Sequence, residues 1–334
     1  MHTRPVLDSR ASRRKLEQPP IARKFCRTRR ELTLTDRPCC NGGLRQIENP
    51  LKAMHVSWRK RVSRALRGRV RSLALSNHGL GVVAETKNGV LVVDPRDFGV
   101  SSSLLLRGDY DWEAVSWLLP LVDRESHIVF VGAHLGALLV PVAVRSGSRK
   151  IVAFEPVPNT HRLLTLNVAL NGLAGVAVHQ QAIGDTEGSV RFTQNPINTG
   201  NSRVSNTGDI VVPVSTLDAA LQREAWTRTD LLVLDTEGFE ARAMRGASHT
   251  LAQTRYFYVE YSPEQLHEQG STPEEFLDLA ASHFQSMYVQ GSGGRFFPAK
   301  TYVQYLRELP SRRGLLMNLL FSNDSQPNER LGVA

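Results

Sequence analysis

Hydrophobic and polar positions change their period several times along this chain. Residues 1–53 hold no sustained period. Arg clusters mix there with Pro, Ser and the turn sequence Asn41-Gly42-Gly43, so the segment reads as a disordered head. Residues 55–75 differ: Trp58, Val62, Leu66, Val70 and Leu73 recur at helical spacing, with Arg59, Lys60, Arg61, Arg64, Arg67 and Arg71 between them. That predicts a basic amphipathic helix, packed on the body with its charged face in water or, alternatively, in contact with anionic lipid or nucleic acid.

From Gly81 to Leu106 the pattern is strand-like, and Lys87-Asn88-Gly89 between two apolar runs predicts a hairpin. Ala114–Val122 predicts a short helix. Strands are then expected at Ile128–Val131, Ile151–Phe154, Val176–Val178, Leu231–Leu234, Tyr256–Val259, Ser286–Val289 and Leu315–Phe321. Helices are expected at Ala137–Val144, Thr160–Leu170, Glu240–Leu251 and Pro273–Phe284. Ser189–Pro213 reads as an inserted hairpin around the polar loop Asn195–Asn206. Alternating strands and helices are the signature of a doubly wound α/β fold with a mostly parallel, seven-stranded sheet. The divisions follow: a basic head over 1–53, a helix and hairpin lead-in over 54–126, and the main domain over 127–325. The apolar run Ile128–Val144 is short for a membrane span and carries His134, Pro141 and two glycines. A strand, a glycine turn and a buried helix account for it, so no transmembrane span is expected.

Charge sharpens the division. Residues 1–72 hold 20 basic and 5 acidic residues, and the remainder holds 21 and 27. The net +9 therefore belongs to the head, and the body is mildly acidic. A nucleic-acid acceptor is disfavoured on that ground. The three cysteines, Cys26, Cys39 and Cys40, all lie in the head, which leaves the body no thiolate for zinc or nucleophilic chemistry. Residues 1–30 contain no apolar signal region, so a cytoplasmic protein is expected.

The chemistry is concentrated at three strand ends. The first runs into Gly132-Ala133-His134-Leu135-Gly136, where glycines allow close approach to a ligand. The second ends in Phe154-Glu155-Pro156, and an acid at this point can grip both hydroxyls of a ribose. The fourth ends in Asp235-Thr236-Glu237-Gly238-Phe239-Glu240. Acids there are costly unless used. Asp235 and Glu237 share one face if the strand continues. They can hold a ligand ammonium, hold a metal or act as general base, whereas Glu240 suits a helix N-terminus. His134 stands where a dinucleotide fingerprint needs its second glycine, which favours S-adenosylmethionine (SAM) over NAD. No metal ligand set is assigned.

These stretches resemble the FkbM-type SAM-dependent methyltransferases. Leu164, Asn167, Leu170-Asn171-Gly172, Ala182, Gly184-Asp185, Gly188, Thr216-Leu217-Asp218, Arg245-Gly246-Ala247 and Glu260 extend the likeness from about Gly81 to Glu260, with Leu106–Tyr110 and Trp112-Glu113 as lead-in. The resemblance implies a class I methyltransferase sheet with its last strand antiparallel. It also implies methyl transfer from SAM to a hydroxyl of a sugar, polyketide or other small metabolite. It places Gly132, Ala133, His134 and Gly136 along the cofactor, Glu155 and Pro156 at the ribose, and Gln181 and Ala182 at the adenine. Asp235 and Glu237 face the transfer centre, with Asp235 the first choice as base or acceptor anchor. Phe130 stands where the family usually has Asp, His134 where it commonly has Asn, and Val233 where it often has Lys. Phe130 motivates a second reading, a methyltransferase-like binding or assembly module without catalysis.

Overall fold

The computed structural model describes residues 79–324, apart from 196–197, 206, 291–295, 299–303, 305 and 307–313. The expectations for residues 1–53, for the helix at 55–75, and for the three cysteines lie outside the described residues, as does most of the segment 290–302.

The chain opens with the antiparallel hairpin β1 (Val82–Thr86) and β2 (Gly89–Val93). Next come helices α1 (Val100–Arg107) and α2 (Trp112–Leu118), the latter continued by a 3-10 turn at Leu119–Leu121. The alternating body follows: β3 (His127–Val131), α3 (Leu139–Ser146), β4 (Lys150–Phe154), α4 (Pro158–Leu170) and β5 (Val176–His179). A side layer contains β6 (Ala182–Ile183), β7 (Gly188–Thr193), β8 (Arg203–Val204) and β9 (Ile210–Ser215). The chain then continues through α5 (Leu217–Arg223), β10 (Thr229–Leu234), α6 (Glu240–Arg245), α7 (Ser248–Ala252) and β11 (Thr254–Tyr261). Helices α8 (Pro263–Glu268) and α9 (Pro273–His283) lead to strands β12 (Ser286–Gln290), β13 (Phe296–Pro298) and β14 (Met317–Ser322).

All seven expected strands enter one sheet, in the order β13-β12-β14-β11-β10-β3-β4-β5. The short β13 adds an eighth strand at one edge. Strands β11, β10, β3, β4 and β5 pair in parallel, and β14 slots antiparallel between β11 and β12. The winding direction reverses between β3 and β10, so a crevice opens at their carboxyl ends. Both faces are covered. Ile128 and Phe130 point into one core with Leu104, Leu118, Val140 and Leu164, while Val129 and Val131 point into the other with Phe154, Leu234 and Phe276. Among the described residues no helix is long and apolar enough to cross a membrane.

Three expectations are corrected. The strand-like reading to Leu106 fails at Val100–Arg107, which is helical. The Asp97 carboxylate accepts from the N–H groups of Gly99 (3.0 Å) and Ser101 (2.8 Å), and so organises that helix start from outside. The single helix expected at Glu240–Leu251 is two, because the chain breaks at Gly246-Ala247. The Gly246 carbonyl accepts from Asp218 N–H (3.1 Å), and the Asp218 carboxylate accepts from the N–H groups of His249 and Thr250 at the start of α7. The inserted hairpin is a four-stranded sheet of its own, β6-β9-β7-β8.

Candidate functional site

The crevice begins at a forced glycine. Gly132 has φ +79°, and the N–H groups of Gly132 and Ala133 both donate to the Phe154 carbonyl, at 2.9 and 3.0 Å. A Cβ on Gly132 would stand 1.7 Å from the Asp235 carbonyl oxygen. The turns after β3 and β10 are therefore in backbone contact, and only glycine fits. His134 follows with φ 51°, in the left-handed region. Its N–H donates to Glu155 Oε2 (3.0 Å), and its Nε2 pairs with Thr199 Oγ1 (2.9 Å). Burial lowers the ring's pKa to about 4, so the imidazole is neutral.

Glu155 is 5% exposed. Its Oε1 accepts from Val157 N–H (2.9 Å) and its Oε2 from His134 N–H. Burial raises its pKa to about 7 against those two hydrogen bonds, with the Asp235 charge adding to the rise. Each oxygen keeps a lone pair for a further donor. Gly132, His134, Glu155, Pro156, Gln181 and Ala182 form one wall of a cleft. Phe192, Thr199, Gly200, Ser202 and Val204 of the side layer form the opposite wall, and Asp235, Thr236, Glu237 and Phe239 close the end. Two residues expected along the cofactor do not line it. Ala133 is buried, and Gly136 is a packing glycine whose Cβ would meet Leu164 Cδ1 at 2.9 Å.

The acidic end is made by a turn rather than by a continued strand. β10 stops at Leu234, and Glu237 adopts φ 54°. Glu240 Oε1 accepts from Thr236 N–H (2.9 Å), Thr236 Oγ1–H (2.9 Å) and Gly238 N–H (3.2 Å). Glu240 thus stands first in α6, as expected for a dipole partner, and also locks the loop that carries the other two acids. Gln265 Nε2 donates to Glu237 Oε2 at 2.6 Å. Glu260, near the end of β11, completes a group. One carboxylate oxygen each from Asp235, Glu237 and Glu260 lies within 4.8 Å of the other two.

Tyr110 and Asp111 border the same group. Tyr258 and Glu260 share one face of β11, and Tyr258 pairs in register with Val233, two residues before Asp235. Burial, then mutual repulsion, raises every acid here: Glu237 to about 8, and Asp235 and Glu260 well above the usual carboxylate range. The sequence reading gave no role to Glu260, Tyr258, Tyr110 or Asp111. Their only signal was the likeness at Glu260 and in the lead-in.

A doubly wound sheet with its last strand reversed, and a glycine turn and a buried acid at adjacent strand ends, make up a class I methyltransferase fold. Residues 131–286 match the model of the family described as Methyltransferase FkbM domain. A hexuronic acid methyltransferase of Haloferax volcanii is 24% identical over 156 residues, which cover 46% of this chain and 63% of that protein. A 2-O-methyltransferase of Sinorhizobium fredii is 32% identical over 98 residues, 29% of this chain and 40% of that protein. The alignments thus span less than two thirds of either relative. Among solved structures, a methyltransferase FkbM from Methylobacillus flagellatus superposes with a TM-score of 0.41 at 14% identity, covering 64% of this chain and 48% of that one.

Proposed function

We propose that the protein transfers a methyl group from SAM to a hydroxyl oxygen of a small-molecule acceptor, with a sugar as the favoured class. The observation that carries this reading is the cleft itself, which is lined by the glycine turn and Glu155 together with the carboxylates Asp235 and Glu237. The residues present fit SAM. Gly132 lines the cleft with bare backbone, Glu155 has a lone pair on each oxygen for a ribose diol, and Gln181 and Ala182 line the same cleft, where they would flank the adenine. SAM supplies an electrophilic methyl on a sulfonium.

The chain's own residues do the rest. His134, neutral and tied to Thr199, holds the side-layer loop against the cofactor wall. Asp235 and Glu237 orient the acceptor hydroxyl and draw off its proton. The raised affinity of these acids for protons suits that task, since a base poised near neutrality is the effective one. Likeness to a hexuronic acid methyltransferase supports a sugar acceptor, and likeness to a 2-O-methyltransferase supports an oxygen as the atom methylated.

Phe130 favours the second reading, a binding module. It is 2% exposed and packed in the core, so the position carries no acid toward a methionine ammonium. The deciding experiment is calorimetric titration with SAM, followed by transfer of labelled methyl to a panel of uronic acids and sugars. Binding with transfer supports the enzyme, binding without transfer the module. Absence of SAM binding in the folded protein overturns the enzyme.

A further inference from the structure

The acidic end of the cleft carries more carboxyl groups than methylation of a neutral hydroxyl uses. Asp235, Glu237 and Glu260 each offer an oxygen within 4.8 Å of the others. Oxygens bound to one Mg²⁺ at about 2.1 Å stand at most about 4.2 Å apart, and those on Ca²⁺ about 5 Å apart. The 4.8 Å bound lies inside the Ca²⁺ span and about 0.6 Å beyond the Mg²⁺ span, so at most a small side-chain rotation brings the three oxygens onto one cation. Among the described residues, no Lys, Arg or His forms an ion pair with any of them. Glu237 is held there by left-handed backbone and by Gln265.

A second observation points to a ligand. The Tyr258 side chain is 3% exposed, lies on the Glu260 face of β11, and its hydroxyl has no hydrogen-bond partner among the described residues. A buried hydroxyl left unpaired is costly, and a bound water or oxygen ligand beside the acids would satisfy it.

We propose that Asp235, Glu237 and Glu260 hold one divalent cation of the Mg²⁺ or Mn²⁺ class at the acceptor end of the cleft, with the Tyr258 hydroxyl bonded to a water or acceptor oxygen on that cation. The site stands on geometry alone. Its use rests on the methyl-transfer reading. A hard cation with open positions selects an acceptor presenting two neighbouring oxygens, such as a vicinal diol or a hydroxy acid, and Asp235 then anchors the acceptor through the metal.

The test is titration of the full chain with MnCl₂ in the absence of SAM, read by the loss of the free Mn²⁺ electron-spin signal. One equivalent is expected to bind. Asp235→Asn and Glu260→Gln should each weaken binding by roughly tenfold or more, while Asp109→Asn should leave it unchanged. Circular dichroism checks folding, and Glu237→Gln supplies the same reading if Glu260→Gln does not fold. Absence of Mn²⁺ binding at millimolar concentration, or unchanged affinity in the folded variants, overturns the proposal. So does release of Mn²⁺ by SAM but not by S-adenosylhomocysteine, because the cofactor's sulfonium would then be the counter-charge. Mn²⁺ binding without SAM binding would leave the cation site standing and remove the methyl-transfer reading. Transfer that persists in chelator, without Mn²⁺ binding, would do the reverse.

Discussion

The side-chain amide of Asn167 pairs with both backbone polar groups of Val92. Its Oδ1 accepts from the Val92 N–H at 2.6 Å, and its Nδ2 donates to the Val92 carbonyl at 3.1 Å and to the Leu135 carbonyl at 2.8 Å. One turn on, Asn171 repeats the pattern on Val90. Helix α4 thus presents two amides that imitate a neighbouring strand, and β2 is zipped to the body without entering its sheet.

Replacing Asn167 by Ala leaves one donor and two acceptors unpaired between the hairpin and the glycine turn. The expected cost is about 2–4 kcal/mol, from roughly 1–3 per orphaned buried group with some recovery by water. Chemical denaturation measures it, and a loss below half a kilocalorie would show that the hairpin is held by other contacts.

Gly132→Ala forces a methyl onto the Asp235 carbonyl and a side chain into positive φ. A loss of roughly 3 kcal/mol or more is expected, together with SAM binding. Gly108→Ala is the control, since it has a similar φ of +77° with open space around it, and about 1 kcal/mol is expected there.

Glu155 has a raised pKa in the folded protein, about 7 against an ordinary value of 4.5. Its stabilising contribution is full below the unfolded value and lost as pH rises through about 7. The ligand-free protein should therefore lose stability as pH rises from about 4.5 to about 7, by about 3 kcal/mol from this group. In Glu155→Gln that slope should flatten, whatever constant offset the substitution adds. Melting temperatures across this range, compared between the two proteins, read the difference. An identical slope would show that Glu155 is ionised throughout.

Asp235→Asn keeps the shape of the turn and removes a charge. Turnover is expected to fall by about 10²-fold or more with the fold intact, and Glu237→Gln by less. Labelled methyl transfer with a folding control decides the matter, and full turnover in Asp235→Asn would confine that residue to architecture.

The sheet was legible because each strand is a short apolar run closed by turn residues. Ile128–Val131 and Ile151–Phe154 could hardly be anything else once the glycine turn and Glu155 followed them. Helix α1 was not legible, since Val100-Ser101-Ser102-Ser103 reads as extended and its organising carboxylate, Asp97, lies outside it. The acids after β10 were legible as a cluster, but their partners were not. Asp111, Tyr258 and Glu260 reach the same space from segments about 150 residues apart, which no local pattern records. Likewise Asn167 and Asn171 stood out only through the likeness, and their role became visible only with Val90 and Val92 beside them.

Asp111, His134 and Glu237 are three of the four non-glycine residues with positive φ among those described; His134 and Glu237 line the cleft, and the Asp111 charge acts on Asp235 at its end. Left-handed backbone costs roughly 1–3 kcal/mol at each such position. A laboratory selection that rewards heat resistance alone would be drawn to these positions, exchanging each for Gly or Asn. Each exchange would remove a side chain that faces the acids or the cofactor wall. Robustness and turnover should therefore trade against each other at these three positions, while Ala225, the fourth, can be relaxed without that loss.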